Sequence, residues 1–270
     1  MPVDRAADAG SREAAPVTID PVAAGGFSAA ASTYARIRPT YARPAIGAIK
    51  DLCPPGGRVL DVAAGTGILT GQLVRAGLDV TAVEPLDEMA RHLRLALPAV
   101  PLVRGVVEHL GVRDDSFDVV TVAQAFHWFD FQAALSELAR VLAPDGVLVL
   151  VWNARDASVP WVDELTRLVE QRTGGRPYDD HREVSWSEVV AASGRFGPLD
   201  ERRYPNPIPT TLDGVIDRLR STSFVAVLDD AERAVLLDAA RDLLAGHPEL
   251  VGTFAYPHHT IVHAARLAHR

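Results

Sequence analysis

The sequence predicts a doubly wound α/β fold, in which helices cover both faces of an open, mostly parallel sheet. From Arg58 onward, short β-branched apolar runs alternate with longer helical patterns, which is typical of successive β-α-β units. Three of these runs are nearly unbroken apolar stretches, as expected for strands that are buried on both faces. With 270 residues and 48% hydrophobic content, the chain can also bury a large core.

The predicted strands and crossover helices follow one another in regular order. Leucines at helical spacing mark the core faces of the helices, and several crossovers in series favour an open sheet over a barrel. We predict strands at residues 58–63, 79–83, 102–107, 117–122 and 146–152. The helix core faces are Leu69 and Leu73, then Met89, Leu93 and Leu97, then Leu135, Leu138 and Leu142 before a Pro144-Asp145-Gly146 turn.

The regular alternation stops after residue 153. In the C-terminal region we predict a helix over residues 212–219 and another from Asp229, which has capping-box spacing with Glu232. A last strand is expected after Pro257. The predicted organisation is a flexible leader (1–26) and a single domain (27–270), divided into an N-terminal helical lid (27–57), a core (58–153), a helical cap insertion (154–197) and C-terminal helices with the final strands (198–270).

Charge and cysteine content narrow the class of protein. The chain has 27 Lys and Arg against 35 Asp and Glu, a net charge of −8, and its basic residues are scattered, which argues against nucleic acid or membrane as partners. Cys53, the single cysteine, belongs to no Cys/His cluster with metal-ligand spacing, so no metal site is expected. The leader lacks the apolar run of a signal peptide, and a cytoplasmic location is the expectation. Nothing in the pattern indicates an oligomeric state.

The strongest local signal is the Asp-Val-Ala-Ala-Gly-Thr-Gly segment at 61–67, between a predicted strand and a helix. Small residues there let a ligand approach the backbone closely at a helix N-terminus. Glu84 ends the next strand, where its carboxylate can accept hydrogen bonds from both hydroxyls of a ribose. A dinucleotide fingerprint would need glycine at Ala63 and Ile68, and Asp61 suits a cationic amino-acid moiety better than a pyrophosphate.

Several segments in order resemble the motifs of class I S-adenosylmethionine (AdoMet)-dependent methyltransferases, in particular the type 11-like, small-molecule branch that includes the trans-aconitate type. Residues 60–67 resemble motif I, and residues 83–85 resemble the acidic motif after the second strand. Residues 105–110 and 115–118 resemble the adenine-binding loop and the fourth strand. Residues 138–146 resemble the segment that leads into the fifth strand. The resemblance implies a Rossmann-like, seven-stranded, mostly parallel sheet and AdoMet as the cofactor.

The resemblance also implies which residues hold the cofactor. It places Asp61 and Gly65 beside the methionyl moiety, Glu84 on the ribose and Gln124 near the sulfonium. Val106 stands where many relatives have Asp, so the adenine amino group would depend on Glu108 or on backbone. Residues 27–41 resemble a lid, although a solvated surface helix is the alternative. The implied cofactor-binding set is Tyr34, Arg38, Asp61, Ala63, Gly65, Gly67, Glu84, Pro85, Met89, Val107, Glu108 and Gln124.

The loop at 123–130 follows the fourth predicted strand, at the edge of the sheet where ligands bind in open α/β folds. His127 is the candidate general base, or else shapes the loop, and Tyr34 is a second catalytic candidate. Asp130 would orient His127 or cap the next helix. The candidate acceptor-binding residues are Tyr34, His127, Trp128 and Trp152, with Phe129 beside them, although aromatic residues at strand ends are also typical of a core. His258 and His259, which alternate along a strand, are interpreted as structural.

These patterns predict a methyltransferase with a small-molecule acceptor in specialised metabolism. The acceptor atom would be a carboxylate oxygen, or a carbon, nitrogen or oxygen of an electron-rich aromatic ring such as an indole. The alternatives are an AdoMet-binding enzyme that performs a cyclisation or rearrangement, a non-catalytic AdoMet-binding partner and an NAD-dependent oxidoreductase. The sequence does not identify the acceptor, the need for a base or the role of the cap.

Overall fold

A computed structural model describes residues 39–173, 184–226 and 228–268. These residues form nine strands and nine α-helices. The strands are β1 (Arg58–Val62), β2 (Asp79–Val83), β3 (Leu102–Val103), β4 (Phe117–Ala123), β5 (Leu142–Arg155), β6 (Asp200–Pro205), β7 (Ile208–Thr210), β8 (Phe254–Tyr256) and β9 (His258–Arg266). The helices are α1 (Arg43–Leu52), α2 (Ile68–Arg75), α3 (Asp87–Ala96), α4 (Phe131–Val141), α5 (Pro160–Thr173), α6 (Trp186–Ala192), α7 (Leu212–Arg220), α8 (Ser223–Ala226) and α9 (Asp230–Ala245).

Seven strands form one sheet in the order β3-β2-β1-β4-β5-β9-β6, and β7 pairs with β8 in a separate ribbon. Strands β1 to β5 are parallel, whereas β9 runs antiparallel to both β5 and β6. The predicted doubly wound, seven-stranded and mostly parallel sheet is therefore confirmed. Because the chain builds outward from β1 to β3 on one side and from β4 on the other, the strand order reverses between β1 and β4, where such sheets bind ligands.

Strand side chains alternate between two hydrophobic clusters, one on each face of the sheet. On one face, Val59 and Val149 pack with α1 and α2. On the other, Leu60 and Leu150 pack with α4 and α6. A third cluster joins α5, α7 and α9 to Tyr256 at the end of β8. The sheet is thus buried on both faces, and a helical layer stands next to it.

The predicted cap insertion divides between two of these clusters. Its first helix, α5, belongs with α7 and α9, whereas its second helix, α6, contributes Trp186 to the core of the sheet. Residues 174–183, between them, lie outside the described residues. The division of the chain into lid, core, cap and C-terminal region stays a prediction.

The third strand is shorter than predicted. The expected strand over 102–107 pairs with β2 only at Leu102 and Val103. Beyond that, the chain turns back on itself, because Val106 forms an isolated bridge with His109 and its carbonyl accepts the His109 N–H at 3.1 Å. The apolar residues at 106 and 107 therefore belong to a loop.

The fifth strand begins earlier than the predicted turn. Leu142, expected on the inner face of a helix, pairs with Phe117 as the first residue of β5. The pairing then shifts register before Val119 meets Val147, and Asp145 lies between with a φ of 63°. The Pro144-Asp145-Gly146 segment is an irregularity within the strand, and the prediction that it separates helix and strand is wrong.

The C-terminal elements agree with the sequence predictions. The Asp229 side chain caps α9 by accepting the Glu232 N–H, and β9 begins directly after Pro257. Helix α7 covers the predicted 212–219 segment and begins after Thr211, whose side chain accepts the Gly214 N–H. Among the described helices, none combines the length and the apolar character needed to cross a membrane.

A pair of stacked indoles attaches α6 to the sheet. The rings of Trp152 on β5 and Trp186 on α6 lie 5.2 Å apart with an angle of 10° between their planes. Phe126 and Phe131 meet Trp186 edge-on, at 5.5 and 5.7 Å. Since aromatic pairs stabilise beyond the area they bury, this cluster should fix the segment after residue 184.

Replacing Trp186 with Ala should lower the free energy of unfolding by about 3–5 kcal/mol, because it removes the centre of this cluster. Urea denaturation followed by circular dichroism measures the loss. Val251→Ala is the control and should change stability by less than about 0.5 kcal/mol, since Val251 is 79% exposed. A loss below about 1 kcal/mol in the Trp186 variant would show that the indole stack does not stabilise the fold.

Candidate cofactor and acceptor site

The turn after β1 is shaped by left-handed backbone conformations. Ala63, Gly65 and Gly67 have φ angles of 54°, 59° and 85°. A Cβ built on Gly65 would meet nothing within 4 Å, whereas one built on Gly67 would lie 3.0 Å from the Leu93 side chain. Gly65 therefore leaves open space in front of the turn, and Gly67 lets the start of α2 pack against α3.

The Asp61 carboxylate is fully buried beneath this turn. Its oxygens accept the hydroxyl of Thr70 on α2 at 2.6 Å and that of Thr121 on β4 at 2.8 Å. Burial raises the pKa of Asp61 to about 6, although both hydrogen bonds oppose the shift. A cation placed beside this carboxylate would stabilise its ionised form and lower its pKa again.

Glu84 directly follows β2 and is buried, with 3% of the residue exposed. One oxygen accepts the Gly65 N–H and the other the Leu86 N–H, both at 2.8 Å. Burial raises the pKa of Glu84, and these bonds and the nearby Arg104 guanidinium oppose the shift. A carboxylate has about four lone-pair positions, so both oxygens keep acceptor capacity for further donors such as ribose hydroxyls.

A cleft opens beside the turn, between the ends of β1 and β4. The buried Thr66 hydroxyl has no hydrogen-bond partner among the described residues, as expected of a group reserved for a ligand. The lining consists of Pro39, Tyr41, Asp61, Ala63, Ala64, Gly65, Thr66, Ile68, Leu69, Ala123 and Gln124.

Gln124 stands on the opposite side of the cleft from the turn. It follows β4 with a φ of 58°, a left-handed conformation that is uncommon for residues other than glycine. Its amide Nε2 donates to the Asn153 carbonyl at 3.3 Å. Backbone strain of this kind is typical of functional sites, and here it occurs at Ala63 and Gln124, on both sides of the same cleft.

The residues present fit AdoMet. Two buried carboxylates, Asp61 and Glu84, raise the negative potential in and beside the cleft, which favours the ammonium and sulfonium groups of AdoMet. The same potential would oppose a dinucleotide pyrophosphate. The open space at Gly65 and the unpartnered Thr66 hydroxyl provide room and a hydrogen-bonding group for a ligand.

The aromatic loop follows Gln124 as a short 3₁₀ turn, Phe126–Trp128. Phe126 is buried in the core, whereas His127 and Trp128 are half-buried, with ring centres 4.9 Å apart. The Asp130 side chain accepts the Ala133 N–H at 2.9 Å and caps α4. Of the two roles considered for Asp130, the structure thus shows helix capping.

The other predicted site residues differ in how closely they approach the cleft. Trp152 is 2% exposed and packs in the core, so its proposed contact with an acceptor has no support from its packing. Met89 and Val107 are buried, and Glu108 lines a groove beside α4 with Glu137. Tyr34 and Arg38 lie outside the described residues. The roles of these residues remain predictions.

His258 and His259 have different surroundings. His258 is buried, its Nδ1 lies 3.0 Å from the Tyr256 carbonyl, and burial lowers its pKa to about 3. His259 Nδ1 lies 3.7 Å from a carboxylate oxygen of Asp156. Within the described part of the chain, no cluster of three or more potential ligands could hold a metal ion.

Several residues of the site were not identified from the sequence. Arg104 donates to the Pro85 carbonyl and pairs with Asp87 at 2.6 Å, which fixes the turn after Glu84. Thr70 and Thr121 hold Asp61, and their places on a helix and on a neighbouring strand gave no distinguishing signal. Thr66 lies within the motif at 61–67, and its hydroxyl group could have indicated a polar contact with a ligand.

Comparison with known proteins gives a consistent result. The family described as methyltransferase domain matches residues 60–150. A protein of Mycobacterium tuberculosis named as an uncharacterised methyltransferase is 40% identical over 245 residues, covering 90% of this chain and 96% of the relative. The malonyl-[acyl-carrier protein] O-methyltransferase of Methylococcus capsulatus is 36% identical over 195 residues, covering 69% of this chain and 70% of the relative.

Among solved structures, one from Anaeromyxobacter dehalogenans that is assigned as a type II methyltransferase superposes with a TM-score of 0.60. It is 26% identical, and the match covers 86% of this chain and 97% of that one. The sheet order and the cleft at its switch point define a class I methyltransferase fold. The chain belongs to the methyltransferase family, and it is an enzyme that uses AdoMet as methyl donor.

Because Asp61 lines the cleft and its pKa is raised, we predict that AdoMet binding depends on pH. Below about pH 6 the carboxyl becomes protonated and would lose its attraction for an ammonium group, so the Kd for AdoMet should rise about tenfold between pH 7 and pH 5. Calorimetric titration across this range measures the change. In Asp61→Asn the affinity should be low and nearly independent of pH. Parallel pH curves for the two proteins would exclude Asp61 as the titrating group.

Proposed function

We propose that this methyltransferase acts on a small molecule, which binds beside the aromatic loop that follows β4. The observation that carries the proposal is the continuity of this loop with the cleft. Gln124 lines the cleft, and the half-buried rings of His127 and Trp128 follow within one short turn. An acceptor held on these rings would stand next to the cofactor.

The cofactor supplies an electrophilic methyl group on its sulfonium, and the chain's own residues would do the rest. Asp61 and Thr66 would hold the methionyl end, and Glu84 would accept the ribose hydroxyls. Tyr34 and Arg38 are proposed to cover the cleft, because the residue directly after Arg38, Pro39, lines it. The aromatic rings would exclude water and hold the acceptor in line with the sulfonium, and much of the catalysis would come from this positioning.

The chemistry of the acceptor decides whether a base is needed. A carboxylate attacks through an oxygen that carries no proton, whereas a phenol, amine or indole must lose one. His127 would accept that proton, because a neutral imidazole nitrogen can act as a general base. The Methylococcus relative is named as an O-methyltransferase, which supports oxygen among the acceptor atoms. A role in specialised metabolism would agree with either chemistry.

Incubation with methyl-labelled AdoMet and two acceptor panels tests this proposal. One panel holds small carboxylates, and the other holds phenols, indoles and amines. One class should yield labelled product and an equal amount of S-adenosylhomocysteine. Asp61→Ala and Glu84→Ala should abolish turnover at micromolar AdoMet, because both carboxylates are assigned to the cofactor. Consumption of AdoMet without S-adenosylhomocysteine would instead indicate a cyclisation, and a changed acceptor with AdoMet intact would indicate a rearrangement. Turnover only on protein or nucleic acid would overturn the proposal.

The role of His127 is tested with His127→Gln on the accepted substrate. On an acceptor that must lose a proton, kcat should fall about 100-fold or more, and the decline of rate toward acid pH should disappear. On a carboxylate, kcat should stay close to that of the parent enzyme. His247→Gln is the control, since His247 follows α9 and bonds with Glu164 away from the cleft. An unchanged pH profile with a protic acceptor would show that His127 only shapes the loop.

A further inference from the structure

The segment before α1, residues 39–42, forms one wall of the cofactor cleft through Pro39 and Tyr41. It belongs to no helix or strand, so no regular ladder of backbone hydrogen bonds holds it in place. The Ala42 carbonyl accepts the Ile46 N–H at the start of α1, but the other bonded backbone groups of the segment pair with side chains from distant parts of the chain. The position of this wall therefore depends on those side chains.

Asn153, near the end of β5, is the centre of these contacts. Its Nδ2 donates to the carbonyls of Pro39 and Thr40, at 3.4 and 3.2 Å. Its Oδ1 accepts the Thr260 hydroxyl at 2.6 Å and the Asn206 Nδ2 at 3.1 Å. An asparagine side chain has two donor hydrogens and two acceptor positions, and here all of them are used.

Two other side chains extend this network to the same segment. Thr260 on β9 accepts the Ala42 N–H at 2.9 Å while donating its own hydrogen to Asn153. Asn206, which follows β6, donates to the Thr40 carbonyl at 2.8 Å. Thr260 is fully buried, so its hydroxyl has no competing contact with solvent. Three strands at one edge of the sheet thus hold the same short stretch of backbone.

The opposite wall of the cleft is connected to the same asparagine. Gln124, which lines the cleft at the end of β4, donates to the Asn153 backbone carbonyl at 3.3 Å. Residues 39–42 are also held from the side of α2. The Gln72 side-chain amide exchanges two hydrogen bonds of 2.8 Å with the Tyr41 backbone. Asn153 therefore bonds to both walls of the cleft, although its own side chain is not part of the lining.

We propose that Asn153, with Thr260 and Asn206, positions residues 39–42 against the AdoMet cleft and so sets the affinity for the cofactor. These are positioning residues, because they act through the backbone that carries Pro39 and Tyr41. The inference rests on the proposed placement of AdoMet in this cleft. A network that only stabilised the fold would lower thermal stability and leave the affinity of the folded protein unchanged.

The test changes the hydrogen-bonding groups of the three positioning residues one at a time. Asn153→Asp keeps one acceptor oxygen but turns the donor into a second oxygen that faces the carbonyls of Pro39 and Thr40. Thr260→Val removes the hydroxyl at constant shape, whereas Thr260→Ser restores it. In calorimetric titrations, the Kd for AdoMet should rise about tenfold or more in the first two and stay within about twofold in Thr260→Ser. Asn206→Ala, at the partly exposed rim, should raise it about threefold and decides the question if the buried variants fail to fold.

A stability control and a cofactor control complete the experiment. Val141→Ala makes a cavity at the end of α4, beside the amino-terminal ends of β4 and β5 and so away from the cleft, and should lower the Tm while leaving the Kd within about twofold. Native affinity in folded Asn153→Asp and Thr260→Val, or losses of affinity that follow the Tm in every variant, would overturn the proposal. Asp61→Asn distinguishes failure of the positioning proposal from failure of the proposed cofactor site. Native affinity in that variant would mean that the cofactor does not bind in this cleft.

Discussion

The buried carboxylate of Asp61 is the interaction on which the arrangement of the site depends. It stands at the end of β1 and receives hydroxyls from α2 and from β4, so one side chain joins two strands and a helix at the point where the strand order reverses. Removing a carboxylate from water is costly, and its raised pKa records that cost. A buried carboxylate without a counter-charge contributes little to the stability of a fold, but it can attract a cationic ligand that supplies the missing charge.

The fold and the turn at the centre of the candidate cofactor site were predictable because their signals are local. Strand runs, helical spacing, the Asp61 to Gly67 turn and Glu84 can each be recognised within a few residues of sequence. The same holds for the Asp229 cap and for the strand after Pro257. The fold predictions were wrong where strand pairing overrides the hydrophobic pattern of the sequence. Leu142 has the spacing of a helix core position, but it pairs with Phe117 as part of a strand.

The rest of the site depends on contacts between distant residues. The hydrogen bond between Ala42 and Thr260 joins residues 218 positions apart, and no periodic pattern in the sequence predicts it. The prediction for Trp152 also depended on a distant residue. An aromatic residue at a strand end can line a pocket, but here the indole of Trp186 stacks on Trp152. Arg104 likewise becomes informative only when it is seen beside Pro85 and Asp87.

The position of Thr260 has a consequence for how the enzyme is assembled. Thr260 belongs to β9, which inserts between β5 and β6 as the last strand of the sheet in chain order. A nascent chain that has made β1 to β5 already holds Asp61, Glu84 and Gln124, yet the hydroxyl that receives the Ala42 N–H has still to be synthesised. The cleft therefore reaches its final shape only after β9 has been synthesised and the Thr260 hydroxyl has met the Ala42 N–H.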